Sequence, residues 1–308
     1  MRFSLGLPVD RVDSREEFGS AEAVMEMAAA AERAGFDAVY VTDHPVPECD
    51  WLAAGGHQTL DPFVALAFAA AATQHLRLQT NLCVLPYRNP YLAAKSVASL
   101  DSLSDGRVLL GVGAGYLAPE FAALGADFAH RNELCDEAIV KMKQVWSGAP
   151  VRIGAHEHRV LPRPRQEPHP PIWGGGNSRR AIRRAVELCD GWMPFRNPQQ
   201  IVPMVRTPAL MSLDDLRTRL AYAHEHAERL GRPPLRDVMF SALTRGFYGQ
   251  TGFDVAALLA EIEEQEELGV TQMAVGFERV GTTRLPSRRR LLELIEGFGS
   301  EVISKQVG

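Results

Sequence analysis

The residues best suited to chemistry in this 308-residue chain gather where short apolar runs end. His44 follows Asp43 just past the run Ala38 to Thr42, and an imidazole that titrates near neutral pH suits proton transfer. The same two residues would equally serve to cap a loop before Pro45. Gly174-Gly175-Gly176-Asn177-Ser178 leads into a predicted helix, where exposed backbone N–H groups and the positive end of the helix dipole favour a phosphate. Ser178 would add a hydroxyl donor, and Arg179 and Arg180 would add charge. A further glycine set, Gly111, Gly113 and Gly115 around Ala114, alternates at the end of an apolar run. Glycine is used where another backbone or a flat ligand must approach closely, so a flat, phosphate-tailed cofactor is the expectation.

A metal is not expected. His156-Glu157-His158, with His169 nearby, has the look of a ligand pair on a strand, but the segment offers no third carboxylate or histidine at metal-site spacing. Cys49, Cys83, Cys135 and Cys189 lie far apart and form no CxxC pair, which points to buried free thiols rather than a zinc site or a disulfide framework.

Strands and helices must alternate to place these residues. Arg2 to Leu7 reads as a first strand, and an alanine-rich helix opens at Ser20 and stops at Gly35. Strand Ala38 to Thr42, helix Pro62 to Thr73, strand Leu76 to Val84, helix Pro90 to Leu103 and strand Val108 to Val112 follow, separated by turn chemistry. A helix over Arg131 to Ser147 comes next. The Pro-, His- and Arg-rich stretch from Pro150 to Pro171 has no helical period and is too long for an ordinary connection, so it is expected to be an inserted hairpin or a lid. Strand Pro171 to Gly174, helix Ser178 to Leu188, strand Gly191 to Pro194, helix Ser212 to Leu230 and strand Val238 to Leu243 continue the pattern. Helix Val255 to Leu268, strand Thr271 to Val275 and helix Arg288 to Ile303 complete about eight βα units.

Eight units argue for a closed (β/α)8 barrel, one domain over residues 1–308, rather than an open doubly wound sheet, whose GxGxxG signature is missing after the first strand. In such a barrel chemistry collects past the C-terminal ends of the strands. That rule selects Asp43 and His44, Asn81 to Arg88, Gly113 to Tyr116, Gly174 to Arg180, and Phe195 with Arg196. Trp51, His57, Tyr116, Phe195 and Arg196 would surround the mouth and face a substrate, although Trp51 or Phe195 would serve as well to pack loops.

Composition excludes several classes. The formal net charge of -5 is spread without a basic stripe, which argues against nucleic acid. No apolar run approaches the ~18 residues of a membrane span, and Met1 to Asp10 enters a strand without a signal peptide, so a cytoplasmic protein with no membrane partner is expected.

The motifs also carry a family resemblance. Thr42-Asp43-His44, the run Leu85 to Pro90 (LPYRNP) followed by Ala93-Ala94-Lys95, the stretch Leu100 to Tyr116 (LDSLSDGRVLLGVGAGY), and Pro170 to Trp192 together resemble the luciferase-like flavin and deazaflavin oxidoreductases. The match extends from the first strand to about Trp192, and the motif set looks most similar to members that use the deazaflavin coenzyme F420. The resemblance implies a (β/α)8 barrel of the bacterial luciferase-like type and a small-molecule oxidoreductase, often a homodimer. Helices Ala65 to Ala72 and Ala93 to Leu100 are candidates for its interface.

By the same resemblance an acidic residue and a histidine, here Asp43 and His44, lie beside the reactive ring. The third strand would carry a bulge with a non-proline cis peptide, mapped onto Asn81-Leu82, against the middle of that ring. Gly113, Ala114, Gly115, Gly175, Gly176, Asn177 and Ser178 would complete the cofactor site. The implied reaction passes a hydride between F420 and an unidentified small organic substrate, in either direction, with His44 supplying or accepting the proton. Alternatives are an FMN-dependent monooxygenase of the same superfamily, a non-catalytic flavin-binding protein and, furthest off, a metal-dependent hydrolase. Members that oxidise a sugar phosphate carry a glutamate directly after the glycine-rich strand end, where this chain has Tyr116; that reaction is not expected. Glu120, four residues on, reads as a first-turn helix charge.

Overall fold

Most of the longer helices start at a side chain that the sequence places one residue ahead of the apolar stripe. In the computed structural model, which describes residues 1–277 and 287–306, Ser20 accepts a hydrogen bond from the Ala23 N–H and opens α1 (Ala21–Arg33). Strands β1 (Arg2–Gly6) and β2 (Ala38–Val41) flank it. The short α2 (Cys49–Ala53) interrupts the loop before α3 (Pro62–Ala71), which Asp61 caps with Pro62 in its first turn.

The expected strand Leu76 to Val84 is two pieces, β3 (Arg77–Thr80) and β4 (Cys83–Val84), parted at Asn81-Leu82, and that peptide bond is cis. Helix α4 (Pro90–Leu103) is capped by Asn89 and closed by Asp105 and Gly106, with φ of 55° and 83°. Then come β5 (Val108–Gly113), the short α5 (Ala118–Ala123) with Glu120 in its first turn as the sequence suggested, and α6 (Arg131–Trp146).

The stretch 150–171 contains the expected hairpin, β6 (Val151–Ile153) paired antiparallel with β7 (His156–His158). It is not a lid. The buried Asp101 carboxylate, near the end of α4, accepts from the N–H groups of Arg165 and Gln166 at 2.7 and 3.0 Å, and the Gln166 amide donates to the Val108 carbonyl oxygen at 2.8 Å. Val108 opens β5, whereas the site glycines lie at its other end, so this segment is held at the opposite face of the barrel from the glycines.

Strands β8 (Ile172–Gly175) and β9 (Gly191–Met193) enclose α7 (Arg179–Leu188), which Ser178 caps. After α8 (Val202–Val205) comes α9 (Leu213–Arg229), entered through a capping box between Ser212 and Asp215. Strand β10 (Asp237–Ser241), α10 (Val255–Glu267), β11 (Gln272–Val275) and α11 (Arg288–Glu301) complete the order.

All pairings around the main sheet are parallel, in the order β3-β2-β1-β11-β10-β9-β8-β5, and β5 pairs back onto β3, closing the ring. With β3 and β4 taken as one interrupted strand, the described residues form an eight-stranded (β/α)8 barrel. In the register, Leu5 opposes Val39, Val39 opposes Leu78, and Leu78 opposes Val108. The interior is filled, not hollow. Leu109, Trp173, Met193 and Met239 pack there with Leu82 and Tyr40, above a buried polar set in which Ser4 donates to Gln79 at 2.7 Å. The larger apolar core lies between the strands and the surrounding helices.

Candidate active site

The interrupted third strand explains the glycines next to it. Leu82 points its side chain into the barrel, and a Cβ at Gly113 would lie 2.8 Å from Leu82 Cδ1; one at Gly175 would meet the same methyl still more closely. At Gly111 a Cβ would run into the Thr80 carbonyl oxygen of the neighbouring strand. These glycines therefore accommodate the bulge that parts β3 from β4, a protein contact where the sequence suggested a flat ligand.

Above Leu82 opens a cavity of about 460 Å³ at the C-terminal ends of the strands. Asp43, His44, His57, Asn81, Leu82, Gly113, Ala114, Gly115, Tyr116, Gly175, Gly176, Ser178, Phe195 and Arg196 all line it. Asn177 does not. Its amide is spent on the fold, donating to the Phe195 and Pro208 carbonyl oxygens and accepting from the Phe195 N–H, each at 2.8 Å. Trp51 is also outside the lining: it is buried behind His44 and His57, with ring centroids 4.7 and 5.4 Å away.

Asp43 touches the cavity but is heavily engaged. Arg88 grips both carboxylate oxygens, and the Val84 N–H donates to one of them at 2.9 Å, so Asp43 ties the end of β2 to β4 and to the start of α4. His44 is better placed for chemistry. Its Nδ1 lies 3.1 Å from Glu120 Oε2, and its Nε2 faces the Tyr116 hydroxyl at 3.5 Å.

Glu120 is the residue that sequence reading undervalued. It is fully buried on α5 and accepts from the Val46 N–H at 3.0 Å and the Tyr87 hydroxyl at 2.7 Å, besides meeting His44. Burial pushes its carboxyl up, but the hydrogen bonds from His44, Val46 and Tyr87 outweigh burial and hold it below the usual range. The signal was present in Leu117-Ala118-Pro119-Glu120-Phe121, where a carboxylate sits among apolar residues at a helix entry. Around it the other groups are held neutral: burial, aided by the charge of Glu120, raises the Tyr116 phenol to about 12, and burial, aided by the charge of His44, lowers the His57 imidazole to about 3.

The opposite end of the cavity is cationic. The N–H groups of Gly176 and Asn177 are taken by the Met193 carbonyl oxygen and the Thr207 hydroxyl, which leaves the start of α7, at Arg179 and Arg180, as the place where backbone donors face the cavity end. Ser178 Oγ accepts from the Ala181 N–H at 3.1 Å, which leaves its own hydrogen free to donate. Arg179 turns away to stack on Tyr222, and Arg180 lines the cavity but is paired with Glu133 and Asp136. Two arginines not singled out in the sequence stand there instead. The Arg131 and Arg206 guanidinium carbons lie 4.2 and 5.1 Å from the centre of the Phe128 ring, and neither has a carboxylate within ion-pair distance among the described residues. The Arg131 guanidinium is lowered first by burial and then by the charge of Arg206.

No group of His, Cys, Asp and Glu among the described residues is arranged to hold a metal ion; His156 and His158 are exposed at the far end of the barrel. No described helix is long and apolar enough to cross a membrane.

Residues 1–207 match the model of the family described as luciferase-like monooxygenase. An F420-dependent hydroxymycolic acid dehydrogenase of Mycobacterium tuberculosis is 32% identical over 188 residues, 58% of this chain and 50% of that protein. An FMNH(2)-dependent dimethylsulfone monooxygenase of Pseudomonas putida is 26% identical over 235 residues, 73% of this chain and 60% of that one. Among solved structures, monooxygenase RslO1 from Streptomyces bottropensis shares the fold with a TM-score of 0.78 at 19% identity, covering 99% of this chain and 100% of that one.

Proposed function

The chain belongs to the luciferase-like monooxygenase family, and within it we propose an oxidoreductase that works with coenzyme F420 on a small organic substrate, His44 carrying the proton. The observation that carries this reading is the pairing, in one cavity, of a histidine backed by a buried carboxylate with two arginines, one opening α6 and one closing α8, that have no carboxylate within ion-pair distance among the described residues. The residues fit the cofactor. Asn81 Oδ1 is buried at the cavity wall without a hydrogen-bond partner among the described residues, as a group awaiting a donor would be, and the other end of the cavity carries Arg131 and Arg206 beside the first turn of α7, a setting that suits an anion.

Asn81, Leu82, Gly113, Ala114 and Gly115 would support the ring, Gly175 and Gly176 would leave room beside it, and Ser178 and Arg131 would hold the phosphate. When bound, the deazaflavin supplies or receives a hydride. Tyr116, Phe195 and Arg196 would orient the substrate and exclude water. His44 would exchange a proton at Nε2, the nitrogen left free by Glu120. Asp43 would shape the floor through Arg88 rather than touch the reacting atoms. The reading takes residues 1–308 as one barrel domain, in the cytoplasm, with neither nucleic acid nor membrane as partner.

The family also contains FMN-dependent monooxygenases, and the likeness to the dimethylsulfone enzyme keeps that second reading in play. Titration of the purified protein with reduced F420 and with reduced FMN, followed by binding and oxygen uptake, separates the two. Tight F420 binding without oxygen uptake is the expected result; tight flavin binding with oxygen consumption would overturn the assignment. Loss of turnover in His44→Ala with cofactor affinity retained would separate an enzyme from a passive flavin carrier.

A homodimer completes the reading. Val64 and Phe68 on α3 and Leu92 and Leu103 on α4 expose 57, 42, 69 and 84% of their surface along one shallow groove, more apolar surface than a solitary face needs. Sedimentation should give a dimer that Phe68→Glu with Leu92→Glu dissociates.

A further inference from the structure

The family reading names His44 but leaves unexplained why a fully buried carboxylate stands behind it. Glu120 has three donors and, among the described residues, no lysine or arginine within ion-pair distance. A buried carboxylate that stays ionised needs a positive partner or a complete set of hydrogen bonds. Among the described residues, the group within ion-pair distance of it that can become positive is the His44 imidazole, 3.1 Å from Oε2.

The other groups packed on His44 leave it that role. His57 stacks on it edge-on at 4.8 Å but is held neutral; Trp51 offers an apolar face at 4.7 Å; Tyr116 and Tyr87 are phenols that burial keeps protonated. Asp43, one residue back, is neutralised by Arg88.

We propose that Glu120 is the positioning residue of this site, fixing His44 as the Nδ1–H tautomer and stabilising its protonated form, so that Nε2 is the nitrogen presented to the cavity. The proposal rests on the reading of His44 as the proton carrier, and it adds a division of labour. Glu120 stays ionised throughout and never meets the substrate. Tyr87, which shares Oε2 with His44, tempers the carboxylate, and the Val46 N–H holds the other oxygen so that the pair cannot swing apart. When His44 gives its proton from Nε2, the neutral ring keeps its Nδ1 hydrogen on Glu120, ready to accept the next proton at the same place.

The test reads the ring itself by 15N NMR of the cofactor-free protein, with the imidazoles labelled. In the wild type the neutral form of His44 should be the Nδ1–H tautomer. Glu120→Gln, which keeps the shape and removes the charge, should move the His44 titration midpoint down by about one pH unit or more, a tenfold change. Tyr87→Phe removes a competing donor from Oε2 and should move the midpoint up. It also serves as the deciding variant should Glu120→Gln not fold. An Nε2–H tautomer in the wild type, or midpoints unmoved in both variants, would overturn the proposal. The function reading fails separately: if His44→Ala leaves turnover intact while the tautomer and midpoints behave as stated, the positioning stands and the proton-carrier role falls.

Discussion

Asp43 illustrates how burial changes the meaning of a polar residue. A carboxylate at a strand end beside a histidine suggests chemistry, yet this one is 3% exposed and its oxygens are occupied by Arg88 and the Val84 N–H. Removing one partner of a buried ion pair strands the other, so Asp43→Asn should cost about 3 kcal/mol in urea unfolding; a variant as stable as the wild type would refute the structural role. His57 gives a pH signature. The fold keeps its imidazole neutral down to about 3, whereas the unfolded chain takes up that proton near 6.5. The unfolded state therefore binds more protons between those values, and this residue makes stability fall as pH drops from 6.5 toward 3. In His57→Gln the slope of unfolding free energy against pH should flatten in that window, and identical slopes would contradict the burial argument. The sequence made His44 legible because a strand end and an imidazole are both local signals. It hid Glu120, whose role depends on α5 folding back over the loop after β2, 76 residues away in sequence.

At the scale of elements, the decisive device is the interruption between β3 and β4. Leu82 turns into the barrel there and occupies the space that side chains at 113 and 175 would need. Gly175→Ala should destabilise the protein by about 1 to 3 kcal/mol through overpacking. Leu82→Ala in the same chain should recover part of that loss, giving a coupling of about 1 kcal/mol in a double-mutant cycle by urea unfolding. Strict additivity would mean that the two positions do not compete. Helix starts were readable because Ser20, Asp61, Asn89, Ser178 and Ser212 announce themselves by chemistry and position. The glycine pattern was readable as close approach, but not what approaches: a period-two run says that room is needed and says nothing of its occupant. Arg131 and Arg206 were illegible for a related reason, since they come from α6 and from the turn after α8, and only the closed barrel sets them on either flank of the same phenylalanine.

The whole molecule separates stability from chemistry by face. The polar anchors of the 150–171 stretch, Asp101 above all, lie at the N-terminal ends of the strands, while the cavity opens at the C-terminal ends. Replacing β6 and β7 by a short turn should thus leave cofactor affinity unchanged; a weakened affinity in a stably folded variant would restore the lid. Alternation of strands and helices was enough to recover the barrel, because each short apolar run is separated from the next by a helix. The same alternation could not say on which end an insertion falls unless its place in the βα order was taken into account: a segment between a helix and the following strand must emerge at the far face. The proposed function requires a phosphate-tailed redox ring between His44 and the first turn of α7. Electron density from crystals soaked with coenzyme F420 tests it most directly. The ring should lie against Asn81 and Leu82, with the phosphate within hydrogen-bond reach of Ser178 and Arg131; a cofactor seated elsewhere, such as the groove between α3 and α4, would overturn the proposed function.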